Sequence, residues 1–320
     1  MGWRRVLGVA VVLLGAAAVV VHAGTMEYYE SHFEQRAYTV AGNTSLAEIA
    51  ATHPGTVERE GDTCILTRPL VVERGGSLTV NGSGCATANM VNGAGILIRG
   101  SAFFDSVTVR SYNPLTGAPL RNSVFTYYQR RPFVETESRW EEGAEYVSAV
   151  NSTFAHLGYW RPFSLRTWEE ESRWGFALYH LDGGRIINST FHGNYYGFYT
   201  WNSSDILIRN STSYGNIEYG FNFHDYSSNI TIRGSTAYGN NNHGIIFSKH
   251  NWYNTIADNA VYNNTGRAFN KGQFREWDTT GIMLDQNTSY TTVVGNEVWG
   301  NREAVHIHRD SDHNMVRLNT

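Results

Sequence analysis

Apolar residues in the second half of the chain occur in short segments that alternate with polar residues. Three of these segments are Ile206–Ile208, Ile230–Ile232 and Thr292–Val294. Alternation with a period of two is typical of β-strands, whereas amphipathic helices repeat about every 3.6 residues. Gly-Asn pairs, which favour turns, separate the segments. The pattern therefore predicts many short strands joined by tight turns.

The same unit recurs along the chain. Aligned on Asn-Ser-Thr and equivalent triplets, successive copies are 22, 24, 25, 37 and 23 residues apart. The aligned positions are Asn188, Asn210, Gly234, Asn259, Asn296 and Asn319. Such a unit cannot bury its own apolar face, but stacked copies can. The repeat predicts an all-β fold, a right-handed parallel β-helix over residues 61–320 with coils of about 22–25 residues and ladders of stacked Asn side chains.

The first 60 residues differ from the repeats. Residues 1–23 combine two arginines with a 16-residue apolar run and a small-x-small motif. They are interpreted as a signal for export to the periplasm or the medium, with an N-terminal anchor as the alternative. Residues 24–60 are expected to cap the open sheet edge of the first coil, and Ser45-Leu46-Ala47-Glu48 predicts a short capping-box helix there. At the other end the chain stops one strand into a new coil, so we expect the natural solenoid to continue.

Composition and charge limit the classes of partner. The net charge of −4 gives no polycationic signature, so no nucleic-acid partner is expected, and neither is a stable membrane partner. No group of residues has metal-ligand spacing, and the sequence predicts no metal, no cofactor and a monomer. Cys64 and Cys85 are 21 residues apart, about one coil. That spacing permits a disulfide in an oxidising compartment, with two buried thiols as the alternative.

Stacking of coils places residues at equal offsets from the coil's glycine in one column. The reference positions are Gly197, Gly220, Gly244, Gly281 and Ala304. Offsets one and three are apolar and are predicted to face the core, so offsets two and four should face outward. The offset-four column contains Trp201, His224, Ser248, Asp285 and His308. The offset-five column, at the strand end, contains Asn202, Asp225, Lys249, Gln286 and Arg309.

Charged residues concentrate in these two columns on adjacent coils, whereas an ordinary solvated face would carry scattered charges. Aromatic residues lie beside them, namely Tyr199, Trp201 and Tyr219. The combination favours a groove that binds an extended polysaccharide chain. Tyr199, Trp201, Ser248, Asp285, His308 and Arg309 are predicted to bind substrate.

Two segments of this region resemble a known family. Residues 219–225 read Tyr-Gly-Phe-Asn-Phe-His-Asp, and residues 243–249 read His-Gly-Ile-Ile-Phe-Ser-Lys. They are similar to the Tyr-Gly-x-Asp-Pro-His-Asp and His-Gly-Ile-Ile-x-Ser-Arg motifs of bacterial mannuronan C-5 epimerases. The chain departs from these motifs at Asn222, Phe223 and Lys249, and about residues 265–277 are an insertion. The resemblance implies a periplasmic or secreted β-helix that converts mannuronate to guluronate within an anionic polysaccharide such as alginate.

Epimerisation at C5 removes a proton next to a carboxylate and returns one from the other face of the sugar. It needs a cation for the carboxylate charge, and a base and an acid on opposite sides. In the motif that resembles the family, His224 is the candidate base, held by Asp225 or Asn222. Lys249 is the candidate cation, and Tyr219 or a water is the candidate acid.

Two further functions remain open from the sequence. The same intermediate can expel the C4 oxygen, which would make the protein a polyuronate lyase. The replacements Asn222 and Phe223 instead permit a non-catalytic β-helix that binds carbohydrate at a surface.

Overall fold

The fold is described from a computed structural model. It describes residues 36–120, 131–137, 144–159, 173–266 and 279–320, together with the backbone of 268–270 and 273–275. The interpreted export signal, residues 1–23, lies outside the described residues. No helix among them is long and apolar enough to cross a membrane.

Three ten-stranded sheets run along the molecule and form the three sides of a β-helix. Sheet 1 contains β1 (Tyr38–Val40), β5 (Leu70–Val72), β8 (Ile96–Ile98), β11 (Val134–Thr136), β14 (Gly175–Tyr179), β17 (Tyr196–Trp201), β20 (Phe221–His224), β23 (Ile245–Ser248), β28 (Thr280–Asp285) and β31 (Glu303–Ile307). Sheet 2 contains β2 (Asn43–Ser45), β6 (Ser77–Asn81), β9 (Ser101–Asp105), β12 (Tyr146–Val150), β15 (Asp182–Ile187), β18 (Ser204–Arg209), β21 (Thr231–Arg233), β24 (Thr255–Ala257), β29 (Thr292–Val294) and β32 (Met315–Arg317).

Sheet 3 completes each coil. It contains β3 (Val57–Glu60), β4 (Thr63–Leu66), β7 (Thr87–Met90), β10 (Thr108–Ser111), β13 (Thr153–Ala155), β16 (Thr190–His192), β19 (Thr212–Tyr214), β22 (Thr236–Tyr238), β25 (Ala260–Tyr262) and β30 (Glu297–Trp299). Neighbouring strands are parallel in all three sheets, except for the antiparallel pair β3 and β4. Strands β26 (Ala268–Asn270) and β27 (Gln273–Arg275) form a separate antiparallel hairpin within the predicted insertion.

The core lies inside the triangle of sheets, where inward residues of successive coils stack. In sheet 1, Phe223 packs on Phe247 with ring centroids 4.2 Å apart, and both are fully buried. The register pairs Phe221 with Ile245 and Phe223 with Phe247, as the glycine-based alignment predicted. Only glycine fits at position 220, because a Cβ atom there would lie 2.4 Å from the Gly244 carbonyl oxygen. The prediction of the fold class is therefore confirmed.

Amide side chains stack at the turns and form the predicted ladders. Asn216 donates to Asn240, Asn240 to Asn264 and Asn264 to Asn301, over 2.8–3.0 Å. In a second ladder the sequence alignment was wrong by one residue. The backbone N–H of Ser235, not of Gly234, donates to Asn259. In the first three aligned triplets the central residue, Ser189, Ser211 or Ser235, therefore lies in the ladder, whereas Asn259, Asn296 and Asn319 lie in it at their aligned positions.

The amino end is closed by helix α1 (Leu46–Thr52), which begins at the predicted capping box. Ser45 accepts from the Glu48 N–H, and the Glu48 carboxylate accepts from the Ser45 N–H. Its Leu46, Ile49 and Ala50 side chains are buried against the first coils. Cys64 and Cys85 form a disulfide with their Cα atoms 5.6 Å apart. Cys64 pairs in the sheet with Ala88, so Cys85 reaches it from the preceding turn and not from the same column.

Candidate active site

The outward columns of sheet 1 are assembled as the sequence predicted. Trp201 pairs with His224, His224 with Ser248, and Ser248 with Asp285. The His308 N–H then donates to the Leu284 carbonyl, which places His308 beside Asp285. Residues from distant parts of the sequence therefore lie about 4.8 Å apart along one line, the spacing of neighbouring strands.

The offset-two column lies outside the core but is not open to solvent. Its members Tyr199, Asn222, Ile246 and Met283 are each less than a tenth exposed. Tyr199 packs in an aromatic cluster that is separate from the core. The prediction that these side chains point away from the core is correct, but neighbouring residues cover them and they are not accessible to solvent.

Asp225 joins the two charged residues that the sequence singled out. The His224 Nδ1 atom is 2.6 Å from the Asp225 Oδ2 atom, and the Lys249 Nζ atom is 3.6 Å from the same oxygen. Partial burial by itself raises the pKa of the Asp225 carboxyl. The contacts with His224 and Lys249 lower this pKa by more, so that it lies below its ordinary value. Since an ionised Asp225 accepts the Nδ1 proton, a neutral His224 presents an unprotonated Nε2 atom.

The turn that holds Asp225 has one residue more than the turn of the preceding coil. The Asn202 N–H donates to the Asp225 carbonyl, and the Tyr226 N–H donates to the Lys249 carbonyl. Asn202 therefore aligns with Tyr226, and its predicted place in the Asp225 column is wrong. Asp225 and Lys249 occupy a left-handed turn position, with φ of 33° and 66°, which first appears in the coil of His224.

Asn222 does not hold His224. Within the described residues no hydrogen bond joins the two side chains, and the buried Asn222 Oδ1 atom has no hydrogen-bond partner. Asn222 stacks between Tyr199 and Ile246, in the column two residues before that of His224. Of the two residues proposed to hold the base, only Asp225 contacts it.

Tyr219 lies at the opposite margin of the same face. Its ring packs between Tyr196 and His243, with centroids 5.2 and 5.5 Å away. Burial raises the pKa of the Tyr219 hydroxyl well above its ordinary value, and the nearby Glu218 and Asp285 raise it further. Tyr219 therefore keeps its proton at neutral pH. His243 accepts the Thr280 N–H at Nδ1 over 3.0 Å, so its neutral form carries a proton on Nε2.

A second polar cluster forms two coils beyond His224. The His308 Nδ1 atom lies 3.3 Å and the Arg309 Nε atom 4.0 Å from the Asp285 Oδ1 atom, at ion-pair distances but without hydrogen-bond geometry. Gln286 donates to the Asp285 Oδ2 atom over 2.8 Å and lies 3.4 Å from the Ser248 hydroxyl. Ser248 and Asp285 are buried, whereas His308 and Arg309 are about half exposed, so the latter two are accessible to a ligand.

Aromatic rings line the amino-terminal side of His224. The Tyr199 ring centroid lies 6.0 Å from that of His224. Trp201 meets Tyr179 edge-on, and Trp174 stacks on Tyr196 at 4.7 Å. Sequence reasoning missed Tyr179, although the alternation in segment 175–179 could have placed it in the column of Trp201.

Charged residues that the sequence analysis did not identify lie in the coils that precede the coil of Tyr199. The Arg173 guanidinium contacts the buried Glu135 carboxylate at 2.8 Å, and Arg99 contacts both Glu73 and Glu137 at 3.0 and 3.2 Å. The long turns between these coils break the repeat, so no glycine register located these residues.

Glu218 is a buried carboxyl next to Tyr219. Asn242 donates to its Oε2 atom over 3.3 Å, and Tyr195 also hydrogen-bonds to it. Burial raises the pKa of Glu218 to about 8, although both hydrogen bonds lower it. Glu218 therefore holds a proton at neutral pH.

Comparison with known proteins supports the fold. No curated protein sequence matches the chain. A crystal structure of the periplasmic alginate epimerase AlgG is similar with a TM-score of 0.76 and 21% identity, covering 88% of this chain and 64% of that chain. A double mutant of that protein gives 0.74 and 21% over the same shares. An A-module of a mannuronan C-5 epimerase from Azotobacter vinelandii gives 0.35 and 13%, covering 87% of this chain and 96% of that chain.

The chain thus spans 64% of the length of AlgG, and at this identity the likeness shows a common fold. A family profile described as a right-handed β-helix region matches residues 143–320, more than half of the chain. The protein therefore belongs to the right-handed β-helix family.

Proposed function

We propose that this protein is an exported polysaccharide-modifying enzyme, a C-5 epimerase that converts mannuronate to guluronate in alginate or a related polyuronate. The observation that carries the proposal is the arrangement of His224, Asp225 and Lys249 on the outward face of sheet 1. His224 contacts the Asp225 carboxylate at 2.6 Å, and Lys249 lies 3.6 Å from the same oxygen.

This arrangement fits the first step of the reaction. The Asp225 carboxylate holds the Nδ1 proton of His224, so the Nε2 lone pair is free to take the C5 proton of the sugar. The electrons left at C5 delocalise into the sugar carboxylate, which gains negative charge. Lys249 is about two-fifths exposed and can turn from Asp225 towards that carboxylate.

The second step returns a proton to C5 from the other face of the sugar. Tyr219 is suited to this step, because its raised pKa keeps the hydroxyl protonated and it precedes strand β20, which His224 ends. A bound water is the alternative donor. After each turnover His224 releases the proton it has taken to solvent and Tyr219 takes one up from solvent, so the protein returns to its starting state.

The residues that line the face support an extended sugar chain as substrate. The partly exposed Trp201 lies on one side of His224, and His308 and Arg309 lie on the other. The similarity to AlgG, whose name describes a periplasmic alginate epimerase, agrees with a polyuronate substrate and with export. We propose that residues 1–23 direct this export and that the enzyme acts as a monomer.

Incubation of the protein with polymannuronate in D₂O tests the function. An epimerase incorporates deuterium at C5 and produces guluronate signals in the proton NMR spectrum. Unsaturated, UV-absorbing chain ends would show a lyase instead, and absence of both products with folded protein would contradict an enzyme. His53→Ala is a matched control, because His53 lies beside helix α1, far along the solenoid from His224.

A further inference from the structure

Aromatic side chains form an exposed patch on the turns that lead from sheet 1 to sheet 2. The aromatic patch consists of Tyr226, His250, Trp252, Tyr253, Tyr290 and His313. The Tyr226, Tyr253 and Tyr290 side chains are 52%, 65% and 48% exposed. Large aromatic residues grouped on a surface usually mark a binding site and not ordinary surface composition.

Several residues of the patch have a strained backbone conformation. Tyr253 and Tyr290 have φ of 58° and 54°, and Tyr226 and His250 have φ of 61° and 60°. Bulky residues rarely adopt this left-handed region, which Gly and Asn tolerate more easily. Strain of this kind is concentrated at functional sites.

Earlier coils of the same solenoid have residues at the same position that adopt this backbone conformation with less strain. Parallel bridges join Ser204, Ser228, Trp252 and Ser289, so the residue after each of them lies in one column. That column contains Asp205, Asn229, Tyr253 and Tyr290. All four have φ between 51° and 58°. The fold therefore accepts Asp or Asn here, and in this column the aromatic residues begin with Tyr253 in the coil of Lys249, one coil after His224.

The patch is continuous with that site. Tyr226 directly follows Asp225, and His250 directly follows Lys249. The Tyr226 and His250 rings stack with their centroids 5.1 Å apart. The Trp252 ring is tilted relative to that of Tyr226, with centroids 6.1 Å apart. A polymer that leaves the His224 site across this edge would meet the rings next.

We propose that the aromatic patch is an accessory binding surface for an anionic polysaccharide strand that extends beyond the His224 site. The polymer class is taken from the proposed function. Sugar rings present C–H groups that pack on aromatic surfaces, while their hydroxyls reach the Tyr hydroxyl and the Trp and His ring nitrogens. Lys249 and Arg309, at the border of the patch, match the negative charge of the strand.

The test is binding of short and long oligomannuronates, measured by calorimetry in a His224→Ala background so that no turnover occurs. The double substitution Tyr253→Asn and Tyr290→Asn removes two rings and places Asn in the conformation that Asn229 already adopts. We expect affinity for the long oligomer to fall by about tenfold, affinity for the short one to be unchanged, and the melting temperature to be kept.

Tyr238→Asn is the matched control. Tyr238 stacks between Tyr214 and Tyr262 at 5.0 Å on sheet 3, on another side of the solenoid. It should lower the melting temperature and leave binding of both oligomers unchanged. Equal affinity of the double variant and its parent for the long oligomer would overturn the proposal. Loss of protein self-association in the double variant, without loss of oligomer affinity, would also overturn it.

Hydroxyl-radical footprinting of the wild-type protein gives a readout that depends on no variant. The long oligomer should protect Tyr226, Tyr253 and Tyr290 and leave Trp299, which is 48% exposed on sheet 3, as reactive as before. Unchanged labelling of the three tyrosines with oligomer bound would overturn the proposal. Patch-dependent binding without deuterium exchange would contradict the proposed chemistry alone, which separates the two hypotheses.

Discussion

The turns at the end of sheet 3 and the outward face of sheet 1 use the same stacking geometry in opposite ways. At the turns like residues stack, and Asn216, Asn240 and Asn264 each donate to the Asn of the next coil, the last of which is Asn301. On the outward face each coil contributes a different residue. The offset-four column there is Trp201, His224, Ser248, Asp285 and His308.

This difference separates stability from chemistry. An amide that stacks on an identical amide has both a donor and an acceptor satisfied, so repetition is favourable. A column of unlike residues gains no such regularity. In the described part of the chain, two of the four buried side-chain atoms without a hydrogen-bond partner, Asn222 Oδ1 and Asp285 Oδ1, lie on the outward face. The outward face thus leaves buried polar atoms without hydrogen bonds, and it brings an imidazole, a carboxylate and an ammonium group together.

Removal of His224 should give the largest effect. His224→Ala should reduce deuterium exchange at C5 by about 10²- to 10⁴-fold, because the general base is lost, while the melting temperature stays close to that of the wild type. The measurement is NMR exchange with polymannuronate, alongside calorimetric unfolding. Substantial exchange in the folded variant would rule out His224 as the base.

Removal of a ladder amide should do the reverse. Asn240 accepts from the backbone and side chain of Asn216 and donates to Asn264 and Ser213. Asn240→Ala should lower the free energy of unfolding by about 3 kcal/mol, since buried partners are left unsatisfied, with little change in activity of the folded protein. Denaturant unfolding measures this, and a loss under about 0.5 kcal/mol would contradict the role of the ladder.

Glu218 should make stability depend on pH. Its pKa is about 8 in the folded protein and near 4.5 when unfolded, so between these values the folded state binds the extra proton. Stability should therefore fall as pH rises from 4.5 to 8 and level off above 8, by on the order of 2 kcal/mol between pH 6 and 8. Glu218→Gln should remove this slope, and Glu60→Gln, at an exposed residue, should keep it. Parallel stability curves for wild type and Glu218→Gln would refute the assignment.

Lys249 should show the smallest effect of the four. Lys249→Met should lower turnover about tenfold, because the substrate carboxylate loses its cation, whereas Lys249→Arg should keep or raise it. Arg233→Met is the control, since Arg233 is an exposed cation paired with Asp258 on sheet 2. Equal turnover in the Lys, Met and Arg forms would exclude Lys249 from the mechanism.

Much of the site could be read from the spacing of residues. The glycine register correctly aligned Trp201, His224, Ser248 and Asp285, because a parallel coil leaves only one way to stack equivalent strands. It failed where the turn length changed, at Asn202, and where long turns interrupt the repeat, at Glu135 and Arg173. A register counted from one glycine is valid only until the next insertion.

The sequence by itself determined the strands, the coil length, the capping helix and the columns of the site, since these follow from local periodicity and turn chemistry. Only the tertiary structure decided which outward residues are covered, that Asp225 and not Asn222 holds His224, and that Cys85 reaches Cys64 from a turn. These outcomes depend on the path of each turn and on packing between coils. Burial and the disulfide arise from contacts between residues more than 20 positions apart, which no single repeat contains, and the contact between the neighbours His224 and Asp225 depends on the backbone path of their turn.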